Sequence, residues 1–546
     1  MWNNLSVEER AEYKKLILAF ASLTNAFAQK ADNNEPEMLS PIINSKYQET
    51  VFQKAFGASA EDIGNTSYDA ALCKQHQDGS IEKYLIGIKT FGIASGDQKI
   101  AQFKANHDEW SNIIEEMRKN AKDENGKQRN KEEVDKINAP LYKSLARQIA
   151  YLRNMRIKSS EANIQGFNIS EGDSVKAVYH VLMPSKKGDD PCIYVGETDY
   201  TQIDIDNIEI LGCTGEKNPT NFEFSDGNHK YKFTSADSQL LMSFDNYNIV
   251  KEKWDVKYVD DAYGFFSDLA DKIYNDSEEE IVKPVVLSSE KRSEYASSTD
   301  HEKTESYSWL ITNDNDEVEL FSGFNSFFGV GSKMSGDMRK KRISSIKEEF
   351  EGEVSSELLG KIIDLLNDYL LTTASNKDER LEKVRIRKEI LELVKRSGNN
   401  EFQSEITKLL FRPKTELYIP LPNSREFHTQ HPDFFAKKIW NSTTNELIKD
   451  KNLRKFNLVF EPSGKTIESF ITQDFGKAIE SFEKQTYLGE WILKEVFQLE
   501  DYEPLTEKRL NEVGINGIRL SKDQEGNIHL HFIWIERENL PFDYIG

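Results

Sequence analysis

Residues 65–91 constrain this chain more than any other stretch. The segment NTSYDAALCKQHQDGSIEKYLIGIKTF reads as two strands, Ser67 to Cys73 and Lys83 to Phe91, joined by a polar turn that holds Asp78 and Gly79. Side chains alternate between the two faces of a strand, and pairing sets facing side chains about 5 Å apart. Asp69 on the first strand and Lys89 on the second are therefore expected to converge. A carboxylate offers hard oxygen to a divalent cation. An ammonium beside it can orient water and stabilise charge on a phosphate.

Two flanking segments extend this reading. NSKYQETVFQKAFG is expected to form a helix with Ser45 as N-cap, Gln48 in the capping-box position and Gly57 as its stop. It carries Glu49. Downstream, GDQKIAQFK is read as opening a second helix with Gln98 and Lys99. Together these motifs resemble the PD-(D/E)xK nuclease superfamily, which includes most restriction endonucleases. The resemblance implies an α/β nuclease core using Mg²⁺, with Asp69 as metal ligand, Lys89 at the attacking water and Gln98 in support. It departs from the pattern two residues before the lysine, where the second acid belongs: Gly87 stands there, and the motif is GIK. Glu49 on the upstream helix is the expected replacement as second metal ligand.

At 546 residues the length suggests three or four domains, and the net charge is −22. So acidic a chain is a mild argument against a nucleic-acid partner, but DNA responds to the local field and not to the sum. One local exception stands out. LYKSLARQIAYLRNMRIK contains Lys143, Arg147, Arg153, Arg156 and Lys158 and no acid. It is expected to be a helix, either a solvated face or one laid on phosphates, with Lys143, Arg147 and Arg153 as candidate DNA contacts. The three cysteines, Cys73, Cys192 and Cys213, lack zinc spacing and are odd in number, which points to a reducing cytoplasm. LILAFASLTNAFA is too short and polar to span a bilayer and follows acidic residues, so it is read as an amphipathic helix capped by Ser6 and Glu9, with no membrane role.

Residues 165–250 turn strand-rich, and FEFSDGNHKYKF is a hairpin with Asp226-Gly227 at its turn. His229, Lys230, Lys232 and Gln239 are available there to face DNA. A Ser-rich linker is placed near 287–305. The following stretch combines glycines with a basic run from Arg339 to Arg342 but has no G-x-x-x-x-G-K-[ST], so ATP hydrolysis is not expected. Residues 343–410 read as apolar-faced helices.

From about 410 the chain returns to short strands. RPKTELYIPLPNSREFHTQHPDFF, then SGKTIESFITQDFGKAIES, LGEWIL and GINGIRL, resembles the DNA-recognition pseudobarrel of restriction enzymes of the NgoFVII, BfiI and EcoRII type. The resemblance covers most of the last 135 residues or so. It implies two arms that grip the major groove, where Arg pairs with guanine and Asn or Gln with adenine. One arm would run from Tyr418 to Arg425, with Tyr418, Asn423 and Arg425 as candidates, and the other from Thr472 to Lys477, with Gln473, Asp474 and Lys477. The H-x-K nuclease that accompanies this module elsewhere is missing: His229-Lys230 has the wrong spacing. FSGFN at 321–325 echoes the start of the module, which would make the helices an insertion into it.

The expectation is a multidomain α/β chain: a nuclease core with helical decoration over 1–280, including the strand-rich extension at 165–250, a linker and helical spacer over 281–405, and a β-rich pseudobarrel over 406–546. The expected function is Mg²⁺-dependent, sequence-specific cleavage of double-stranded DNA, as by a type II site-specific deoxyribonuclease. Cutting both strands implies a homodimer or sequential nicks, and a cognate DNA methyltransferase would be the genetic partner. The alternatives are a modification-dependent endonuclease and a non-catalytic, sequence-specific DNA-binding regulator.

Overall fold

A computed structural model describes the chain outside residues 28–37, 60–67, 76–80, 168–173, 260, 275–304, 320–322, 326–333, 375–376, 412–415, 442, 473–474 and 483–487. The protein is mixed α/β. It divides into two compact units: Met1–Thr304 with 461–463 and 511–515, and the remainder from Glu305 onward. No helix among the described residues is long and apolar enough to cross a membrane.

The first unit opens with helices α1 (Val7–Ala21), α2 (Thr24–Phe27) and α3 (Ser45–Phe56), then strands β1 (Ala70–Gln75), β2 (Ile81–Thr90) and β3 (Gln98–Gln102). Helices α4 (His107–Asn120) and α5 (Lys131–Gln165) follow. Seven strands come next: β4 (Ser174–Pro184), β5 (Cys192–Asp199), β6 (Glu209–Cys213), β7 (Phe222–Ser225), β8 (Lys230–Thr234), β9 (Gln239–Met242) and β10 (Val250–Asp255); α6 (Ala262–Tyr274) closes the unit.

Five strands form the main sheet in the order β1-β2-β4-β5-β10. Only β2 and β4 run parallel, with Gly87 opposite Tyr179 and Lys89 opposite Val181. A parallel neighbour needs a crossover, and the chain between β2 and β4 supplies it through α4 and the 35-residue α5. Strand β2 shows the period of two directly. Tyr84, Ile86 and Ile88 pack with Trp2, Tyr13, Phe52 and Phe56 on the α1/α3 side. Leu85 packs on the opposite side with Tyr179, Tyr142 and Ile149, and alternation puts Gly87 and Lys89 on that side too.

Local sequence rules account for several boundaries. Ser6 and Glu9 form the expected capping box of α1. Helix α3 stops at Gly57, where φ is +61°, but its N-cap is Asn44, whose side chain accepts from Tyr47 N at 2.9 Å. Ser45 is already helical. The hairpin of β7 and β8 forms as read, with Gly227 at φ +87°. The helix expected at Gln98 does not form. Residues 98–102 are strand β3, paired with β9 in a second, antiparallel sheet ordered β3-β9-β8-β7-β6. An open strand edge in that sheet overrides a weak local helical preference. The strand-rich stretch at 165–250 therefore splits: β4, β5 and β10 extend the main sheet, and β6–β9 build the other one.

The second unit begins with β11 (Glu305–Leu310). Helices α7 (Gly336–Glu349), α8 (Ser356–Leu371), α9 (Lys377–Arg396) and α10 (Asn400–Leu410) come next. They share their own core, built on Ile346, Ile362, Leu366, Ile390, Phe402 and Ile406. Then come β12 (Ile419–Pro420), α11 (Ser424–Gln430), β13 (Trp440–Asn441), β14 (Glu446–Leu447), β15 (Lys455–Phe460), β16 (Lys465–Ile471), β17 (Ala478–Ser481), α12 (Glu507–Val513), β18 (Gly517–Lys522) and β19 (Ile528–Ile533). Seven strands make one sheet, β11-β18-β19-β15-β16-β17-β12.

Strand β11 pairs with β18 over its whole length, so the β-rich part starts at Glu305 and not at 406. The four helices interrupt it. Of the FSGFN echo, Gly323 lies against Tyr418: Tyr418 N donates to Gly323 O at 3.2 Å. A Cβ at 323 would lie 1.9 Å from the Tyr418 carbonyl oxygen. The two arginines of the basic run at 339–342 are engaged locally, and Lys340 and Lys341 are exposed. Arg339 Nη1 donates to Leu370 O at 2.7 Å, and Arg342 pairs with Glu349 and Glu405.

Candidate functional site

Asp69 sits immediately before β1. Its N–H donates to Ile86 O at 2.9 Å, and its Oδ2 accepts from Ile88 N at 2.6 Å. The side chain thus stands in for a backbone carbonyl and carries the β1–β2 ladder past the end of β1. This fixes the carboxylate beside β2. Lys89 Nζ lies 3.6 Å from Asp69 Oδ2, and the two side chains are 28% and 33% exposed. An ion pair this open adds little stability, but both groups stay within reach of a ligand. Asp69 Oδ1 takes part in neither contact.

The remaining predicted members are placed elsewhere. Gly87 is not a vacancy an acid could fill: a Cβ there would sit 2.6 Å from Cδ1 and 2.7 Å from Cε1 of Tyr179. Glu49 pairs with Lys46 one turn back on α3, at 3.1 Å. Its neighbour Gln48, fully buried, is the polar α3 side chain seen to bond β2, accepting from the Thr90 hydroxyl. Gln98 lies on β3 and donates to Gly96 O at 2.7 Å. Among the described residues no group of three or more His, Cys, Asp or Glu is placed to hold a metal ion. Mg²⁺, however, takes one or two carboxylates and completes its shell with water and substrate phosphate. A single fixed carboxylate with a spare oxygen fits that mode.

Behind Asp69 lies a buried lattice that sequence reading missed. Arg153, expected to contact DNA, is 2% exposed. Its Nη1 donates to Thr201 O at 2.9 Å, and its guanidinium lies 4.6 Å from the Tyr200 ring centre. Tyr200 packs edge-on against Tyr68 at 4.7 Å and on Tyr179 at 4.1 Å. Burial alone would favour loss of the Arg153 proton, but the tyrosine hydroxyls around it raise its pKa. On the same helix Glu161 is half-buried, and burial pushes its carboxyl up against the opposing pull of Lys158.

Lys143 and Arg147 are exposed one turn apart on α5 and line a shallow surface hollow with Pro140, Ser144 and Gln148. Arg147 lies 3.9 Å from Asp206, itself almost fully exposed. Lys136, Tyr151 and Lys158 are exposed on the same helix. At about 1.5 Å per residue the series from 136 to 158 runs roughly 33 Å.

In the second unit the two predicted arms meet. Strand β12 pairs with β17 (Ile419 opposite Ile479), and Leu421 N donates to Lys477 O at 2.8 Å. Tyr418 is half-buried, and its hydroxyl donates to Glu416 at 2.5 Å. Asn423 is exposed with φ +44°. Arg425 lies over Phe475, its guanidinium carbon 3.6 Å from the ring centre. Gln473 and Asp474 fall outside the described residues. Phe475 was not singled out from sequence; an aromatic in a polar loop, next to a glycine, was the available signal.

No family model matches the chain, and no curated protein does. The functional reading therefore rests on the geometry above.

Proposed function

We propose that this chain is a Mg²⁺-dependent endonuclease that hydrolyses phosphodiester bonds of double-stranded DNA at or near a short sequence. The observation that carries this reading is the convergence of Asp69, immediately before β1, and Lys89 on β2, 3.6 Å apart and both accessible. In hydrolysis a water oxygen bonds to phosphorus, one P–O ester bond breaks, and the departing alkoxide takes a proton. Asp69 would hold Mg²⁺ through the oxygen not committed to Ile88. When bound, the cation supplies Lewis-acid stabilisation of the phosphoryl oxygens and a more acidic water. Lys89 orients the attacking water and stabilises charge building on the phosphate. The cationic face of α5 supplies backbone contacts, and the corner of β12 and β17 supplies base readout.

The test is incubation of the purified protein with unmodified and cytosine-methylated DNA, with Mg²⁺ or EDTA. The expected result is discrete, Mg²⁺-dependent fragments. Asp69→Ala and Lys89→Ala should each slow cleavage at least about a hundredfold while DNA binding survives. Full activity in either variant removes the site assignment, and cutting of methylated DNA alone makes the enzyme modification-dependent. A second reading, a DNA-binding regulator with no catalysis, is favoured by one observation: the Tyr179 ring occupies the space where a second acid would stand. Sequence-specific binding with no cleavage of either substrate selects it.

A further inference from the structure

The corner of β12 and β17 holds its backbone in costly conformations around one exposed pair. Asn423 and Phe475 both have positive φ, +44° and +56°. For a bulky residue such as phenylalanine this region is disfavoured, and such outliers persist only where the surroundings impose them. Here the surroundings are visible. Gly476, next to Phe475, has φ +66°, and a Cβ there would lie 2.0 Å from His428 Nε2. His428 is fully buried, holds Gly476 O at 3.2 Å and stacks on Trp440 at 5.4 Å. Leu421 N and Lys477 O close the other side at 2.8 Å. Phe475 is thereby fixed with 37% of its surface exposed, and Arg425 lies 3.6 Å over it.

A guanidinium seated over an aromatic ring keeps N–H donors free for a partner. Arg425 is exposed. A phosphate contact needs only a positive charge and tolerates a mobile side chain. A base edge needs two in-plane donors held in a set orientation. Guanine presents two acceptors, O6 and N7, at that spacing in the major groove. Resting on the DNA-cleavage reading above, in which Arg425 is already a candidate base contact, we infer that Phe475 is the platform that sets Arg425 in the orientation a guanine edge requires. Phe475 touches no base in this role; it acts through Arg425.

The experiment selects bound duplexes from a randomised pool with the intact protein in EDTA and sequences them. It uses wild type, Arg425→Lys, Phe475→Leu and Phe475→Tyr, with near-ultraviolet circular dichroism checking the fold of each. Wild type is expected to select a motif with at least one strongly preferred guanine. Arg425→Lys, which keeps the charge but loses the fork, should lower preference at that guanine roughly ten- to a hundredfold and leave other positions alone. Phe475→Leu should relax the same position, and Phe475→Tyr, which restores a ring, should retain it. An unchanged motif in Arg425→Lys overturns the inference and leaves the nuclease reading standing. Loss of all positions together in Phe475→Leu, with Phe475→Tyr no better, overturns the platform role. A wild-type protein that retains no duplex overturns the DNA reading itself.

Discussion

Gly87 is the residue whose neighbours most change its meaning. In the sequence it is a missing acid; in the fold it is the floor under Tyr179. Gly87→Ala forces a methyl to within 2.6 Å of a buried ring and is expected to cost about 1–3 kcal/mol. Urea unfolding checks this, and an unchanged midpoint would mean the ring moves freely. His180 carries a second residue-scale prediction. It is fully buried, stacks on Trp2 at 5.3 Å and lies 3.1 Å from the Tyr13 hydroxyl. Burial pushes its pKa from 6.5 down to about 3. The unfolded chain takes up that proton below about 6.5 and the folded chain only near 3. Stability is thus intact above pH 6.5 and falls on acidification, by a few kcal/mol at the order of magnitude. Glu82 adds a lower window. Burial opposes its charge, but Lys176 and Tyr84 hold it down to about 2, so its contribution fades from pH 4.5 toward 2. Urea midpoints between pH 7.5 and 4.5 test the His180 window, above that of Glu82. His180→Gln should flatten the upper limb, and an equal slope in both proteins would assign the acid sensitivity elsewhere. Asp69 and Lys89 were legible because strand alternation is local. The consequence of Gly87 was not, because Tyr179 lies on a strand brought alongside by the crossover.

Helix α5 shows what phase decides at the level of an element. Five basic residues were visible in its sequence, but their faces were not. Four residues separate Lys143 from Arg147, so they share a face; six more bring Arg153 round to the core. Apolar residues at 145, 146, 149, 150, 152, 155 and 157 leave room for more than one choice of buried stripe. Packing against Tyr200 and Thr201 settles it. Lys143→Glu and Arg147→Glu are each expected to weaken DNA binding across all sequences and lower the salt slope by about 1. Binding titrations at several salt concentrations measure this, and an unchanged slope would return this face to solvent. Arg153→Met should instead destabilise the fold by about 2–4 kcal/mol, with the salt slope of the folded fraction unaltered. Gln98 teaches the same lesson for strands: its segment is short, and the free edge of β9 outweighs its own preference.

At the scale of the whole molecule, each unit contains its own apolar clusters and the main division falls at Thr304/Glu305, with only 461–463 and 511–515 of the later chain counted in the first unit. Residues 1–304 and 305–546, produced separately, are each expected to unfold cooperatively in urea. A fragment lacking a cooperative transition by circular dichroism would mean that its core depends on the other. The amino-acid sequence by itself determined the alternation of strand-rich and helical stretches, the hairpin bearing Asp69 and Lys89, the capping of α1, the stop of α3 and the β7–β8 turn. Each of these follows from chemistry within a few residues: pleat, cap, or a glycine at positive φ. Tertiary structure alone decided the ring over Gly87, the reach of Gln48 to Thr90, the burial of Arg153 and the seating of Arg425 on Phe475. It also decided that four helices interrupt a sheet whose first strand is β11. These depend on which surfaces meet across tens to hundreds of residues, where burial and steric fit outweigh the weak preferences of any local segment.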